Sequence, residues 1–264
     1  MFSSPGAIAL QIGSISIYWY GIFMAIAIFC GVFFSSKILQ KYYENINLDI
    51  FYDLIFYVLL GGILGARLYY VLCNFSYFKI HLNEILMLWN GGISIHGALL
   101  GGLLAGIFYV KRKNLDFFLY ADVIVFGVCL GQIIGRVGNF FNSEAFGSPT
   151  NLPWKLFIPI QHRPFGYENF SYFHPTFLYE ILLNSVILLI LYFIGMRLKF
   201  QKHGVIFFTY LILYSIIRIF IENIRIDSVL DIQGIPIAII MSSILLIGAL
   251  IGLIWIFPDK KLKK

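Results

Sequence analysis

A polar, glycine-punctuated stretch, GRVGNFFNSEAFG at residues 135–147, directly follows the apolar run ADVIVFGVCLGQII. Within nine residues it supplies an arginine, two amides and a carboxylate: Arg136, Asn139, Asn142 and Glu144. A guanidinium can bind phosphate through two parallel hydrogen bonds, and amides can hold the polar oxygens of a lipid head group. Charge at membrane depth is costly, which favours a functional site. The alternative is a helix end capped by Asn and Gly, with Arg136 reaching to the interface.

A second cluster, GGISIHGALLGG at residues 91–102, places His96 a few residues inside an apolar run. Its glycines allow a neighbouring helix or a lipid to approach closely. His96 is therefore either a hydrogen-bonded residue of a helix-packing face or a general base, since a neutral imidazole accepts protons near neutral pH.

Two further clusters place charges inside apolar runs. In HPTFLYE, residues 174–180, Pro175 opens a span, and Glu180 inside it needs a cationic or hydrogen-bonding partner. In YSIIRIFIENIR, residues 214–225, spacings of 4, 8 and 11 put Tyr214, Arg218, Glu222 and Arg225 on one helix face. Arg218 and Glu222 form either an internal salt bridge or, with Arg225, a site for an anionic head group.

Arg67 and Tyr20 give weaker signals. Arg67, in GARLYYV, is a charge inside a span that can pair with Glu180 or with a lipid phosphate. Tyr20, in IYWYG, belongs either to the site or to an interfacial aromatic belt with Tyr18 and Trp19.

The elements that carry these residues must cross a membrane. The chain is 60% hydrophobic and 12% charged, whereas soluble domains carry roughly twice that charged fraction. Apolar runs at 15–36, 50–73, 92–110, 117–135, 176–196, 204–222 and 235–257 approach the roughly 20 residues needed to span hydrocarbon. The sequence predicts an all-α polytopic membrane protein of about seven helices, a single domain over 1–264 with an outward-facing loop region at 136–175.

The positions of lysine and arginine predict that the N-terminus lies outside and the C-terminus in the cytoplasm. The inward loops and the tail then carry 12 of the 19 basic residues: Lys37, Lys41, Lys111, Arg112, Lys113, Arg197, Lys199, Lys202, Lys260, Lys261, Lys263 and Lys264. This topology and contact with anionic lipid explain the net charge of +6, so no nucleic-acid partner is expected. Cys30, Cys73 and Cys129 lie in apolar runs without metal-ligand spacing, which predicts buried, inert thiols and no metal or redox cofactor.

Taken together, the clusters resemble the prolipoprotein diacylglyceryl transferase family over the whole chain. WYG, GARLYYV, GGISIHGALLGG, GRVGNFFNSEAFG, HPTFLYE and the Arg-x-x-x-Glu pair occur in the family's order. The pattern G-R-x-G-N-F-x-N-x-E-x-x-G is matched at every fixed position from Gly135 to Gly147, and the one small departure is Ala98, where the family commonly has glycine.

The resemblance implies a multi-pass enzyme of the bacterial cytoplasmic membrane. It would transfer the diacylglyceryl group of phosphatidylglycerol to the lipobox cysteine of a preprolipoprotein signal peptide, releasing glycerol 1-phosphate. The catalytic positions expected on this basis are His96, Arg136, Arg218, Glu222, Tyr20 and Tyr214. The positions expected to bind phosphatidylglycerol are Arg136, Asn139, Asn142, Glu144, Gly147, Arg67 and Arg225.

Two other classes of membrane protein also use intramembrane polar residues. A secondary transporter or channel lines its ion path with such arginine and glutamate residues, although transporters usually show internal repeats and midplane sites. An intramembrane protease needs a Ser–His or paired-Asp arrangement, for which Asp53 and Asp122 are the obvious aspartates within the spans.

Overall fold

The structure is a computed structural model that describes residues 2–13, 15–43, 46–198, 200–226, 231–232 and 234–257. The chain forms two compact units, one of residues 1–43 with 121–264 and the other of residues 44–120. The described residues contain eight α-helices: Trp19–Tyr42 (α1), Leu48–Cys73 (α2), Phe75–Phe78 (α3), Ile95–Arg112 (α4), Phe117–Asn142 (α5), Thr176–Arg197 (α6), Val205–Glu222 (α7) and Ile237–Ile256 (α8).

Six of these helices, α1, α2, α5, α6, α7 and α8, are long and apolar enough to cross a membrane. The prediction of a mostly helical, polytopic membrane protein is thereby confirmed, while the count of seven spans is not. The predicted span 92–110 does form a helix, α4, but this helix carries His96, several glycines and two cations in its last turn. Those residues make α4 less apolar than the six helices.

Short strands lie between and before the helices: Phe2–Ser3 (β1), Ile8–Ile12 (β2), Ile15–Tyr18 (β3), Leu156–Phe157 (β4), Tyr172–Phe173 (β5), Asp231–Ile232 (β6) and Ile235–Pro236 (β7). Strand β4 pairs in parallel with β1 and antiparallel with β5, while β2–β3 and β6–β7 are antiparallel pairs. Strand β4 lies at the start of the apolar run LFIPI, residues 156–160.

Two span boundaries differ from those predicted. The first apolar run begins as strand β3, because Ile15 and Ile17 pair with β2, and the helix starts only at Trp19. The fourth run continues as helix through Arg136 and Asn139 to Asn142, so polar residues 136–142 lie on helix α5. The irregular part of residues 136–175 therefore begins at Ser143.

Residues 74–91, all of which the structure describes, contain only short helical segments. They fold as the four-residue helix α3 and two 3₁₀ turns, Leu82–Glu84 and Leu88–Asn90. Of the basic residues used to predict orientation, Lys199 and the tail lysines Lys260, Lys261, Lys263 and Lys264 lie outside the described residues.

Glycines determine the packing of α2 on α4 in the unit of residues 44–120. A Cβ added to Gly97 or Gly101 of α4 would collide with the backbone of Gly65 or Gly61 of α2, so each position requires glycine. The predicted close approach beside His96 is thus made by a neighbouring helix, as expected for small residues at membrane-helix interfaces.

Buried polar side chains connect the helices of the other unit. Ser35 of α1 donates to the Val123 carbonyl of α5 at 3.1 Å and accepts from the Gly127 N–H at 3.1 Å. The Asp122 carboxylate accepts from the N–H groups of Gly204 and Phe207, both at 2.7 Å. Asp122 thus satisfies amides at the start of α7, a structural role for one of the two aspartates considered for a protease.

Candidate active site

Glu180 is the centre of a cluster of charges contributed by α5, α6 and the end of α7. It is 2% exposed, and its Oε2 forms an ion pair with Nη2 of Arg136. Its Oε1 lies 3.6 Å from Nη1 of Arg218 and 3.9 Å from Nη1 of Arg225. One buried carboxylate therefore faces three guanidinium groups from separate parts of the chain. This supplies the cationic partner that the sequence required for Glu180, a residue that was not among the expected site positions.

Arg218 also pairs with Glu222, since its Nη2 lies 2.8 Å from Oε2 of Glu222. The internal salt bridge, one of the two alternatives for this pair, is therefore present, and its link to Glu180 makes it part of the larger cluster. Helix α7 ends at Glu222, so Arg225 lies beyond the helix and not on its face as predicted. Tyr214 stacks on Tyr210, with ring centroids 5.7 Å apart.

The end of α5 forms a chain of hydrogen bonds that begins at Arg136. Arg136 Nη1 donates to Oδ1 of Asn139 at 3.1 Å. Asn139 Nδ2 in turn donates to Oε1 of Glu144 at 2.7 Å, and Asn142 Nδ2 donates to the same oxygen at 3.2 Å. The four polar residues predicted from the signature are thus brought together, with each amide oriented by its neighbours.

The backbone turns Glu144 back towards helix α5. Ser143 and Ala145 on either side of it have φ values of 53° and 56°, which non-glycine residues adopt rarely. The turn is held by the Ala145 carbonyl, which accepts from the hydroxyl of Thr176 at 2.6 Å and from the N–H of Phe177 at 3.1 Å. Strained backbone of this kind persists where the surroundings fix it, and it is frequent at functional sites.

Gly147 lies where three segments of this unit meet. Its N–H donates to the carbonyl of His174 at 2.8 Å, and the following Ser148 N–H donates to the carbonyl of Ile224 at 2.9 Å. A Cβ on Gly147 would lie 2.8 Å from the Ile224 carbonyl oxygen and 3.0 Å from the His174 Cβ. Glycine is therefore needed to bring Arg225 and the start of α6 beside the α5 turn.

A cavity of about 530 Å³ adjoins this hydrogen-bonded chain. Its lining includes Tyr18, Asn142, Glu144 and His162. Glu144 therefore faces this cavity. Tyr20 of α1 packs against α5, because a Cβ on Gly138 would lie 2.9 Å from the Tyr20 ring.

His96 and Arg67 belong to the other unit. The His96 ring lies 6.2 Å from that of Tyr69, and His96 occupies the first turn of α4. Arg67 is buried and donates to the carbonyls of Glu84, Ile85, Gly91 and Gly92, so its guanidinium holds residues 84–92 together. The described partners of Glu180 are the three arginines of its own unit, and a lipid-binding role for Arg67 stays a prediction.

The prediction that all three thiols are buried is wrong for Cys73. Cys129 is buried, Cys30 is partly buried, and Cys73 is exposed at the last residue of α2. Each of the three is a free thiol.

Six apolar helices and a buried cluster of arginines and glutamates define a multi-span membrane protein with a buried polar site. A family model described as prolipoprotein diacylglyceryl transferase matches residues 7–255. The chain therefore belongs to the prolipoprotein diacylglyceryl transferase family, and it is a transferase.

Similar proteins from cyanobacteria carry the name phosphatidylglycerol–prolipoprotein diacylglyceryl transferase. The protein of Acaryochloris marina is 44% identical over 261 residues, covering 99% of this chain and 94% of its own length. That of Synechococcus elongatus is 44% identical over 264 residues, with 98% and 90% covered. That of Synechocystis sp. is 43% identical over 264 residues, with 98% and 92% covered.

Proposed function

We propose that this protein transfers the diacylglyceryl group of phosphatidylglycerol to the lipobox cysteine of a preprolipoprotein, forming a thioether and releasing glycerol 1-phosphate. Membership of the family and the names of its relatives support the two substrates. The observation that carries the proposal is the set of three arginines around the buried carboxylate of Glu180.

The three arginines suit the phosphate of the lipid. Arg136 makes two of its contacts to Asn139 and Glu180, and a guanidinium has five N–H donors, so three remain for a ligand. Arg218 and Arg225 stand 3.6 and 3.9 Å from Oε1 of Glu180, beyond hydrogen-bond distance. Among the described residues Nη1 of Arg218 has no hydrogen-bond partner, so it can turn towards a phosphate while Nη2 keeps its ion pair with Glu222. The amides of Asn139 and Asn142 and the carboxylate of Glu144 are then available to the hydroxyls of the head group.

The chemistry follows from the substrates. The substrate thiolate attacks C3 of the lipid's glycerol, so that an S–C bond forms while the C–O bond to phosphate breaks and its electron pair leaves on the phosphate. A free thiol has a pKa near 8.5, so a base or a cationic field must raise the thiolate fraction. Negative charge grows on the leaving phosphate, and the arginines therefore bind the transition state more strongly than the ground state. His96 is the proposed base, with Tyr20 and Tyr214 as proposed site residues and Gly147 and Arg67 as proposed contributors to lipid binding.

The proposed topology places the chain in the bacterial cytoplasmic membrane as one transferase domain. Helix α4 would be the seventh span, with the N-terminus outside and the loop region of residues 143–175 facing outward. This arrangement is supported by the basic residues Lys37, Lys41, Lys111, Arg112 and Lys113, which lie at or beside the ends of α1 and α4 on the proposed inward side.

A reconstituted transfer assay tests the proposed reaction. The purified protein is placed in phosphatidylglycerol vesicles with a lipobox peptide, and mass spectrometry follows diacylglyceryl attachment to the peptide cysteine. The expected result is a thioether adduct and released glycerol 1-phosphate. A peptide with serine in place of the cysteine is the control. Ion or solute flux across the vesicle membrane without any adduct would instead support a transporter or channel.

Arg218 and Glu222 are expected to act as one unit in transfer. Residues in one network have non-additive effects, because removing either partner already disrupts the pair. Alanine at either position should remove most activity, and the double variant should be little slower than the worse single one. Phe220→Ala, at an exposed position of the same helix, is the matched control and should retain activity. Fully additive losses would show that the two residues have separate roles.

His96→Gln is expected to lose activity near neutral pH and to recover part of it as the pH rises. Glutamine keeps a hydrogen-bonding group but does not accept a proton in this range, so the variant depends on thiol that ionises unaided with a pKa of about 8.5. The transfer rate is measured from about pH 6 to about pH 9. His81→Gln, an exposed histidine of the same unit, is the control. Wild-type rates for His96→Gln across that range would show that His96 is not the general base.

A further inference from the structure

The N-terminal hairpin, defined as strands β2 and β3, has one aliphatic face that is exposed. Leu10 lies opposite Ile17, and Ile12 lies opposite Ile15. Residues directly opposite each other in an antiparallel pair point to the same side of the sheet, so these four side chains share a face. Their exposed fractions run from 39% for Ile17 to 66% for Ile15.

The other face of the hairpin is polar. Gln11 lies opposite Ser16, and both alternate with the aliphatic residues along their strands. The hairpin is therefore an amphipathic sheet of two strands whose apolar side stays exposed among the described residues. A contiguous exposed apolar patch of this kind indicates an interaction surface.

The hairpin is continuous with the first membrane span. Strand β3 ends at Tyr18 and helix α1 begins at Trp19. The N–H of Trp19 donates to the carbonyl of Ala7 at 2.9 Å, which ties the residue before β2 to the first turn of α1. Both ends of the hairpin are thus attached at the point where the span starts, and the hairpin cannot lie far from the membrane boundary.

The charge pattern also fits a bilayer surface. No lysine, arginine, aspartate or glutamate occurs between residue 1 and Lys37. The hairpin therefore has no lysine, arginine, aspartate or glutamate to keep it in water. The half-exposed Tyr18 at its junction with α1 is a residue type enriched at membrane–water interfaces.

We propose that the N-terminal hairpin is an interfacial anchor that lies on the bilayer, with Leu10, Ile12, Ile15 and Ile17 inserted among the lipids and Gln11 and Ser16 facing water. The lipid surface is the one at which α1 begins. Ala7 and Tyr18, at the base of the hairpin, line the cavity beside Glu144. The anchor therefore fixes one wall of that cavity at the level of the lipid head groups.

Spin labelling in vesicles tests this placement without relying on transfer activity. Ile12→Cys and Ile15→Cys are labelled with a nitroxide after Cys30, Cys73 and Cys129 have been replaced by alanine. Gln11→Cys and Ser16→Cys are the matched controls on the opposite face. Collision rates with oxygen, which partitions into lipid, and with a water-soluble nickel chelate are measured in mixed phosphatidylcholine and phosphatidylglycerol vesicles.

The expected result is a ratio of oxygen to nickel collision rates that is several-fold higher at Ile12 and Ile15 than at Gln11 and Ser16. Equal ratios on the two faces would overturn the proposal. Exclusion of both reagents from the aliphatic face, with spin–spin broadening between molecules, would also overturn it and assign the face to a second copy of the chain. If one variant does not insert into the vesicles, its cross-strand partner reports on the same face. Ile12 and Ile15 are such partners on the aliphatic face, and Gln11 and Ser16 on the polar face.

Discussion

Glu180→Ala is expected to abolish most diacylglyceryl transfer and to destabilise the helices that meet at the site. The substitution removes the carboxylate that faces Arg136, Arg218 and Arg225, whose side chains are only 13% to 21% exposed. Removing one partner of a buried ion pair typically costs about 3–5 kcal/mol, because a buried charge is left uncompensated. Arg218 would keep its ion pair with Glu222, but the three guanidinium groups would lose the carboxylate that they share, and with it the geometry proposed to bind phosphate.

The measurements are the transfer rate in vesicles and the thermal unfolding temperature in detergent. Asn184→Ala is the matched control, since Asn184 lies one turn along the same helix, is 1% exposed and carries no charge. It should lower stability by loss of packing and leave most activity intact. Glu180→Gln, which keeps the size and removes the charge, should resemble Glu180→Ala in activity. Equal effects of Glu180→Ala and Asn184→Ala on both measurements would contradict the central role of the Glu180 charge.

The charged residues of the site could be found from the sequence because the membrane makes them conspicuous. Arg136 directly follows an apolar run, and Arg218 and Glu222 lie inside one, where a charge is costly and is retained only for a reason. The pairing of Arg218 with Glu222 also follows from their spacing of four, which is a local property of a helix. What the sequence could not supply was the convergence on Glu180, since this depends on which helices are neighbours.

The fold shows a similar division between local and long-range features. Apolar length predicts the spans, but it does not separate strand β3 from the first helix, because the strand sequence ISIY is also largely apolar. Arg67 illustrates the long-range case, since its four carbonyl acceptors come from residues 17 to 25 positions away. No spacing rule indicates such contacts, so a lipid phosphate was an equally reasonable partner for its charge.

The hydrogen-bonded end of α5 was predictable in its residue types but not in its conformation. The signature predicted a polar site from residue types, but placed it in a loop beyond the helix. The structure keeps Arg136 and Asn139 on the helix and reaches Glu144 by a turn in which Ser143 and Ala145 have positive φ. Serine and alanine do not indicate a positive φ in a sequence, because glycine is the residue that usually adopts this conformation. Because Arg136 is held on a helix by defined contacts, a substitution at this position tests the geometry of its donors.

Arg136→Lys is expected to fail to restore the transfer that Arg136→Ala loses. In the structure Arg136 already uses one Nη for Asn139 and the other for Glu180. Only a group with further donors in the same plane can keep both contacts and also bind phosphate, and lysine offers three donors on a single nitrogen. Two hydrogen bonds to a charged group are worth about 3 kcal/mol or more, which corresponds to a loss of roughly 100-fold or more in rate.

The test compares kcat/KM for phosphatidylglycerol among the wild type, Arg136→Lys and Arg136→Ala. Arg197→Ala, at an exposed position at the opposite end of α6 from Glu180, is the control and should transfer at the wild-type rate. The kcat/KM of both Arg136 variants should fall by a similar factor. The value for Arg136→Lys should exceed that for Arg136→Ala by less than about tenfold, which corresponds to about 1.4 kcal/mol. Near-normal transfer by Arg136→Lys would mean that a point charge is sufficient, and the paired-donor geometry proposed for Arg136 would then be wrong.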